Sequence, residues 1–167
     1  MRITEILEKM IVFSDGNIHD IDHFLRVWSY TKTIGEGEEL DNRTQYLLEA
    51  AALVHDIACP LCREKYGNTN GKHQEEEGGP LVREFFAGTG LPEEDLEQLV
   101  FLVSHHHTLT GIDRADWQIL VEADYIANAS ENGDSPEKIR NFMHKVARTD
   151  TGKRLMREVF CLGTGEE

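Results

Sequence analysis

Apolar residues recur at spacings of three and four along nearly the whole chain, and stretches in which they alternate with polar residues are scarce. Spacings of three and four place side chains on one face of an α-helix, whereas strict alternation is the pattern of a half-buried strand. Residues 3–10 and 24–31 show the helical pattern first. The sequence therefore predicts an all-α fold.

The predicted helices are separated by segments rich in glycine and proline. The stretch TQYLLEAAALVHDIA (44–58) is apolar on nearly all sides, so we expect it to be the central, buried helix. A later helix over PLVREFFAG (80–88) has two candidate starts, at Pro80 or further back through residues 73–79. The other predicted helices are LPEEDLEQLVFLVSHHH (91–107), DWQILVEADYIANA (116–129), SPEKIRNFMHKVAR (135–148) and GKRLMREVF (152–160).

The length of the chain favours one compact unit. Its 167 residues, of which 40% are hydrophobic, are enough for one core and too few for a second domain of ordinary size. We therefore expect a single-domain helical bundle of about six to eight helices over residues 1–167.

The composition of the chain limits its partners and its location. Thirty-one acidic residues against seventeen basic ones give a formal net charge of −14, which repels phosphate backbones and anionic membranes, although a small anionic substrate is compatible with it. No apolar run approaches the roughly 20 residues that span a bilayer, and the N-terminus does not resemble a signal peptide. We expect a cytoplasmic protein whose three cysteines are reduced.

The segment CPLC (59–62) has the cysteine spacing of redox and zinc sites. A zinc ribbon needs a second cysteine pair, and a thioredoxin-like redox centre needs a strand before the motif, where a helix is predicted here. We therefore do not expect Cys59 and Cys62 to form a functional pair, although a transition metal bound beside them would make their thiols sensitive to oxidation.

Most of the eight histidines lie at or near the ends of apolar helices, where a buried site draws its side chains. An isolated carboxylate inside such a helix, like Asp124, is strongly disfavoured unless it is paired or binds a cation. One divalent ion bound by imidazoles and carboxylates would satisfy several of these groups together. The alternatives are a hydrogen-bonded core histidine, a salt bridge within the helix, and histidines that interact with a helix dipole at a solvated end.

The order of these residues, His, His-Asp, His, His-His and Asp, resembles the HD-domain superfamily of metal-dependent phosphohydrolases, in its small single-domain bacterial form. The resemblance covers about residues 20–130. The matching segments are DIDHFLRVW (20–28), AALVHDIA (51–58), GKHQEEEGGP (71–80), LVSHHHT (102–108) and LVEADYIANA (120–129).

The resemblance implies a metal centre with one or two divalent ions, drawn from iron, manganese, zinc, nickel, cobalt and magnesium. The implied ligands of the first ion are His23, His55, Asp56 and Asp124. Superfamily members with two ions use the equivalent of Asp56 as a bridge, and we take Asp56 to be catalytic. Their additional histidines correspond here to His73 and to one or both of His105 and His106.

The remaining histidines are expected outside the centre. Successive residues of a helix point about 100° apart, so three consecutive side chains cannot converge on one ion unless the helix unwinds. On this ground we leave out His107. His19 and His144 fall outside the pattern, and we place both on the surface.

The function implied by the resemblance is hydrolysis of a phosphoester of a small molecule, such as a nucleotide, by a metal-activated water. Arg26, one turn after His23, and Lys72, beside His73, are the basic residues best placed to hold a substrate phosphate. The chain lacks the Gly-Tyr-Pro signature of the cyclic-dinucleotide phosphodiesterases in the superfamily. Two alternatives stay open: a metal-bound regulatory or ligand-binding protein with little turnover, and a di-iron oxygenase that would need the second metal site.

Overall fold

The computed structural model describes residues 1–163 and shows nine α-helices and no strand in that part of the chain. The all-α prediction is confirmed. The helices are α1 Ile3–Phe13, α2 Ile18–Gly37, α3 Asn42–Val54, α4 Cys59–Tyr66, α5 Gly71–Phe86, α6 Glu93–Val103, α7 Ala115–Asn132, α8 Pro136–Lys145 and α9 Asp150–Val159. None of the helices in residues 1–163 combines the length and the apolar character that a membrane-spanning segment requires.

Helix α3 is the centre of the bundle, as its sequence predicts. Every residue from position 47 to its last residue, Val54, is buried, and α1, α2, α6 and α7 pack around it. Asp41 caps the N-terminus of α3 by accepting hydrogen bonds from the backbone N–H groups of Arg43 and Thr44. Because α3 is surrounded, side chains at its C-terminal end can meet side chains from several other helices.

Helix α5 begins at Gly71 and contains Pro80 in its interior, so the earlier of the two candidate starts is correct. The two glycines before the proline lie where α5 and α6 approach closely. A Cβ atom at Gly78 would stand 2.7 Å from Cγ1 of Val103, and one at Gly79 would stand 3.2 Å from Cγ1 of Val100. The small residues therefore permit this close packing of α5 on α6.

Helix α4 is the element that the sequence pattern did not predict. The chain turns at residues 55–58 after α3 and enters α4 with Pro60 in its first turn. Its buried face consists of Cys59 and Cys62, which is too short an apolar stripe to show a helical period. The turn before α4 is important because it carries His55 and Asp56.

Candidate metal centre

Four helices bring titratable side chains to the C-terminal end of α3. His23 lies in the second turn of α2, and Asp124 lies in the middle of α7. His55 and Asp56 occupy the turn that follows α3, and His106 occupies the turn at residues 104–107 that follows α6. Helix termini thus supply the imidazoles of His55 and His106, while α2 and α7 supply groups from their own faces.

The ring nitrogens of these histidines lie close to one another and to two carboxylates. Nε2 of His23 lies 3.2 Å from Nε2 of His55, 3.2 Å from Oδ1 of Asp124 and 3.5 Å from Oδ2 of Asp56. Nε2 of His55 lies 3.5 Å from Oδ1 of Asp124 and 3.6 Å from Oδ1 of Asp56. Nε2 of His106 lies 3.4 Å from Oδ1 of Asp56. The Nε2 atoms of His23 and His55 therefore face both carboxylates, and Nε2 of His106 faces Asp56.

The other nitrogen of each ring is held by a hydrogen bond. His55 and His106 each donate Nδ1–H to the backbone carbonyl three residues earlier, at 2.8 and 2.7 Å. His23 donates Nδ1–H to Oε1 of Glu131 at 3.0 Å. Since Nδ1 is the donor in all three rings, the lone pair of each neutral ring lies on Nε2 and points into the centre.

The centre is largely shielded from water. His55 and His106 are 0% and 1% exposed, and His23 and Asp124 are 5% and 6% exposed. Asp56 is less buried, with a side chain that is 26% exposed. The buried groups offer ligands in a dry environment, and Asp56 lies where the centre opens to solvent.

The charges of the centre shift its pKa values strongly in the metal-free protein. Burial lowers the pKa of His23, but the hydrogen bond to Asp124 and the charge of Asp56 outweigh it and raise that pKa to about 10. Burial likewise opposes ionisation of Asp56 and Asp124. The neighbouring imidazoles, led by His55 for Asp56 and by His23 for Asp124, nevertheless hold both carboxyl pKa values below their usual range. Each carboxylate therefore depends on a positive charge beside it, which a proton or a metal ion can supply.

The donor set fits a divalent ion. The ligand atoms of His23, His55 and Asp56 lie within 4.8 Å of one another, and the same holds for Asp56, His106 and His107. Nε2 of His106 is buried and makes no hydrogen bond within the described part of the chain. Buried polar atoms are normally paired, so this atom is suited to bind a cation. Imidazole nitrogens with carboxylate oxygens are the ligands of transition ions such as iron, manganese and zinc. Asp56 belongs to both groups.

His107 lies beside the centre, although the sequence pattern predicted that it lies outside. That prediction assumed a continuing helix, but α6 ends at Val103 and residues 104–107 form a turn, so successive side chains need not diverge by 100°. Nε2 of His107 is buried without a hydrogen bond within residues 1–163. Burial and the neighbouring His106 lower the pKa of His107 to about 4, so its ring is neutral.

Two of the candidate second-site histidines are engaged elsewhere. His105 donates Nδ1–H to the carbonyl of Phe101 at 2.7 Å and stacks on its ring, with centroids 4.3 Å apart. His73 stacks on Tyr66 with centroids 3.9 Å apart, and its Nδ1 lies 3.6 Å from Oε2 of Glu76. Neither histidine belongs to the two groups described above.

The candidate substrate-binding residues lie at the surface. The side chain of Arg26 is 48% exposed, and its Nη1 lies 3.5 Å from Oε1 of Glu131. The side chain of Lys72 is 79% exposed, and its Nζ lies 3.8 Å from Oε1 of Glu76. His144 is exposed on α8, and the side chain of His19 is 77% exposed, as expected for both.

Glu131 was not identified from the sequence. The sequence did contain one indication: Glu131 follows Asp124 by seven residues, or two helical turns, so both side chains lie on one face of α7. In the structure both side chains contact His23. The sequence pattern alone did not distinguish it from an ordinary solvated glutamate on a helix surface.

Cys59 and Cys62 are free and buried, whereas Cys161 is exposed. Burial, together with the negative charge of Asp56, raises the pKa of the Cys59 thiol above its usual value. The thiolate is the reactive form of cysteine, so this environment opposes the sensitivity to oxidation that the sequence suggested.

Comparison with known protein families gives a match, and its residues include the histidines and aspartates of the centre. A sequence model of the HD domain family matches residues 20–140, which include most of α2, the centre and all of α7. Comparisons with curated proteins and with solved structures give no significant match.

Proposed function

This chain belongs to the HD domain family, and from that premise we propose that it is a metal-dependent hydrolase of a small phosphorylated molecule, such as a nucleotide phosphoester. The observation that carries the proposal is that Nε2 of His23 and Nε2 of His55 both face the carboxylates of Asp56 and Asp124, while Nε2 of His106 faces Asp56. The group that contains His23, His55 and Asp56 would accept one divalent ion, and the second group, which shares Asp56, would accept another.

The residues that would hold the ions follow from these groups. His23, His55, Asp56 and Asp124 would hold the first ion, and Asp56, His106 and His107 would hold the second. A divalent ion, when bound, makes hydroxide available near neutral pH and offsets charge on phosphoryl oxygens. Asp56 is the proposed catalytic residue because it belongs to both groups and because its side chain, unlike that of Asp124, reaches solvent.

The protein's own contribution is orientation and exclusion of water. The hydrogen bonds to Nδ1 hold the rings of His55 and His106 so that Nε2 faces the carboxylates. The packing of α2, α3 and α7 excludes water from the inner side of the centre, which strengthens interactions between charges there. A substrate therefore approaches from the side of Asp56.

The proposed phosphate contacts are Arg26 and Lys72. In a chain with a formal net charge of −14, an anionic substrate gains most from a local cation. Arg26 lies on the same helix as His23, three residues further along, and its side chain is half exposed. Lys72 is in the first turn of α5, next to Gly71, which packs against the ring of His107.

The first experiment is elemental analysis of the wild-type protein, of Asp56→Ala and of the control His144→Ala, each purified without added metal. We expect about one or two equivalents of transition metal in the wild type and in the control, and a loss in Asp56→Ala. The absence of metal from the wild type, even after reconstitution, would leave the centre as a hydrogen-bonded core network and refute the proposal.

The second experiment measures phosphate release from p-nitrophenyl phosphate and from nucleoside mono-, di- and triphosphates, with and without a chelator. We expect activity in the wild type and in His144→Ala that the chelator abolishes and that Asp56→Ala lacks. A metal-loaded protein that binds nucleotides but turns none over would instead support the regulatory alternative. A metal-loaded protein that consumes oxygen and hydrolyses nothing would support the oxygenase.

A further inference from the structure

Helix α7 contacts both ring nitrogens of His23. Oδ1 of Asp124 lies 3.2 Å from Nε2, and Oε1 of Glu131 lies 3.0 Å from Nδ1. Seven residues separate the two carboxylates, so they lie two turns apart on the face of α7 that packs against α2. A single helix thus supplies a hydrogen-bond acceptor to each nitrogen of the His23 ring and so helps to determine where the ring lies.

His23 differs in this respect from the other two histidines of the centre. His55 and His106 donate Nδ1–H to neutral backbone carbonyls of their own segments, three residues earlier. His23 donates to a charged side chain from another helix, 108 residues further along the chain. A carboxylate partner makes an imidazole a stronger electron donor than a carbonyl does, and it fixes the ring through tertiary structure.

The carboxylate of Glu131 lies beside two basic side chains of α2. Nη1 of Arg26 lies 3.5 Å from Oε1, and Nε2 of His19 lies 3.9 Å from Oε2. His19, His23 and Arg26 follow one another at spacings of four and three, so they share one face of α2, and that face meets Glu131. The side chain of Glu131 is 18% exposed, which limits its freedom to turn away.

We propose that Glu131 is the positioning residue of the metal centre: its carboxylate holds the ring of His23 with Nδ1 protonated and Nε2 directed at the ion. The guanidinium group of Arg26 lies beside that carboxylate and offsets its charge. The proposal rests on the proposed function because it requires a divalent ion in the centre. It also assigns Arg26 a second role, since a substrate phosphate and Glu131 would share its guanidinium group.

The test compares metal affinity in the wild type, Glu131→Gln, Glu131→Leu and the control Glu137→Gln, by competition with a chromophoric chelator for zinc. Glu137 is an exposed carboxylate in the first turn of α8, so its variant removes the same charge from the surface. Loss of such a carboxylate partner typically weakens metal binding about 10- to 100-fold. We expect that loss in Glu131→Leu, a smaller loss in Glu131→Gln, whose amide oxygen can still accept the hydrogen bond, and no change in the control.

A spectroscopic measurement on the zinc-loaded proteins separates positioning from general stability. In the wild type we expect the proton on Nδ1 of His23 to resonate far downfield and to exchange slowly with water. It should move upfield in Glu131→Gln and be lost to exchange in Glu131→Leu, while the signals of His55 and His106 stay in place. A structural role alone would alter unfolding without this selective change.

The outcomes distinguish the two proposals. If the wild type binds no zinc, the metal centre itself is refuted and the role of Glu131 falls with it. If the wild type binds zinc and both Glu131 variants keep its affinity and the His23 signal, the positioning role is refuted and the metal centre stands. Because Glu131→Gln preserves size and the acceptor atom, it tests the positioning role even if Glu131→Leu fails to fold.

Discussion

His23 is the side chain of the centre that links metal binding to pH. Its pKa of about 10 in the metal-free protein means that it is protonated at neutral pH, between Asp56 and Asp124. A metal ion needs the lone pair of Nε2, so it must displace that proton. The proton and the ion are therefore alternative partners for the same two carboxylates.

We predict that metal binding at pH 7 releases the proton of His23 and that affinity rises as the pH increases towards about 10. Calorimetric titrations in buffers with different ionisation enthalpies measure the number of protons released. The wild type should release at least one proton when the first ion binds. A binding enthalpy that is the same in every buffer would show that His23 is already neutral and would contradict the prediction.

The same shift has a consequence for the stability of the metal-free protein. The folded-state pKa of His23 is raised above its ordinary value of 6.5, so folding favours the protonated ring. The resulting stabilisation is complete below about pH 6.5 and is lost as the pH rises through about 10. Urea unfolding of the metal-free protein between pH 6 and pH 10 should therefore show a falling midpoint, unlike that of the metal-loaded protein.

The cysteines should differ in reactivity. Cys161 is exposed, whereas burial raises the pKa of Cys59 and Cys62 is also buried. We predict that one thiol of three reacts quickly with a disulfide reagent at pH 8 and that the other two react only after denaturation. Fast reaction of all three thiols in the folded protein would show that α4 opens readily.

The turn after α6 and the first turn of α5 form one packed unit around His107. The carboxylate of Glu75 accepts hydrogen bonds from the backbone N–H of His107 at 3.1 Å and from the hydroxyl of Thr108 at 2.9 Å. Gly71 lies directly against the ring of His107, where an added Cβ would stand 2.7 Å from Cγ and 2.8 Å from Cδ2. The position of His107 therefore depends on how α5 begins.

We predict that Gly71→Ala weakens binding of the second metal ion and leaves binding of the first unchanged. Alanine at an ordinary first position of a helix would be harmless, so the effect should arise because the new methyl group displaces the ring of His107. In a metal titration, the affinity of the second group for its ion should fall about tenfold or more, which is the size of loss expected when the support of a metal ligand is disturbed.

Thr69→Ala is the control for this change, because Thr69 is exposed two residues earlier. Its two metal equivalents should match those of the wild type. If Gly71→Ala also kept both equivalents with unchanged affinity, His107 would not be a ligand, and the second group would lose one of its three members.

At the scale of the whole molecule, the polar centre is the place where four helices of the bundle meet. Four helices meet at imidazoles and carboxylates that are costly to bury unless they are paired. A divalent ion that binds the folded chain only should therefore stabilise all of it together. The formal net charge of −14 favours the approach of such cations at low ionic strength.

We predict that removal of the metal lowers the thermal midpoint of unfolding. Free metal at a hundred times its dissociation constant stabilises the folded state by about 2.7 kcal/mol, which corresponds to roughly 5–10 °C for a chain of this length. Calorimetric scans with and without a chelator measure the difference. The thermal midpoint of Asp124→Ala should be the same with and without the chelator. A wild-type midpoint that the chelator does not change would contradict the prediction.

Much of the fold could be predicted because it depends on local periodicity. Each predicted helix is present, and Ser135 caps α8 with Pro136 at its first position, as its segment suggests. The order of histidines and aspartates indicated the family, and His23, His55, Asp56 and Asp124 do lie together. These results required only repeats within helices and the order of a few residues along the chain.

What only the tertiary structure decided is which side chains of each segment face the centre. Helix α6 ends before Ser104, so the next residues form a turn, and the ring of His105 stacks on Phe101. His107 is held on the inner side because its ring packs against Gly71 and its backbone N–H donates to Glu75. Glu131 reaches His23 only because α7 packs on α2. The sequence by itself determined the helices and the residue types of the centre, since both follow from local spacing. Contacts between helices determined the orientation of each side chain, because where a helix ends, and hence where its last residues point, depends on what packs against that end.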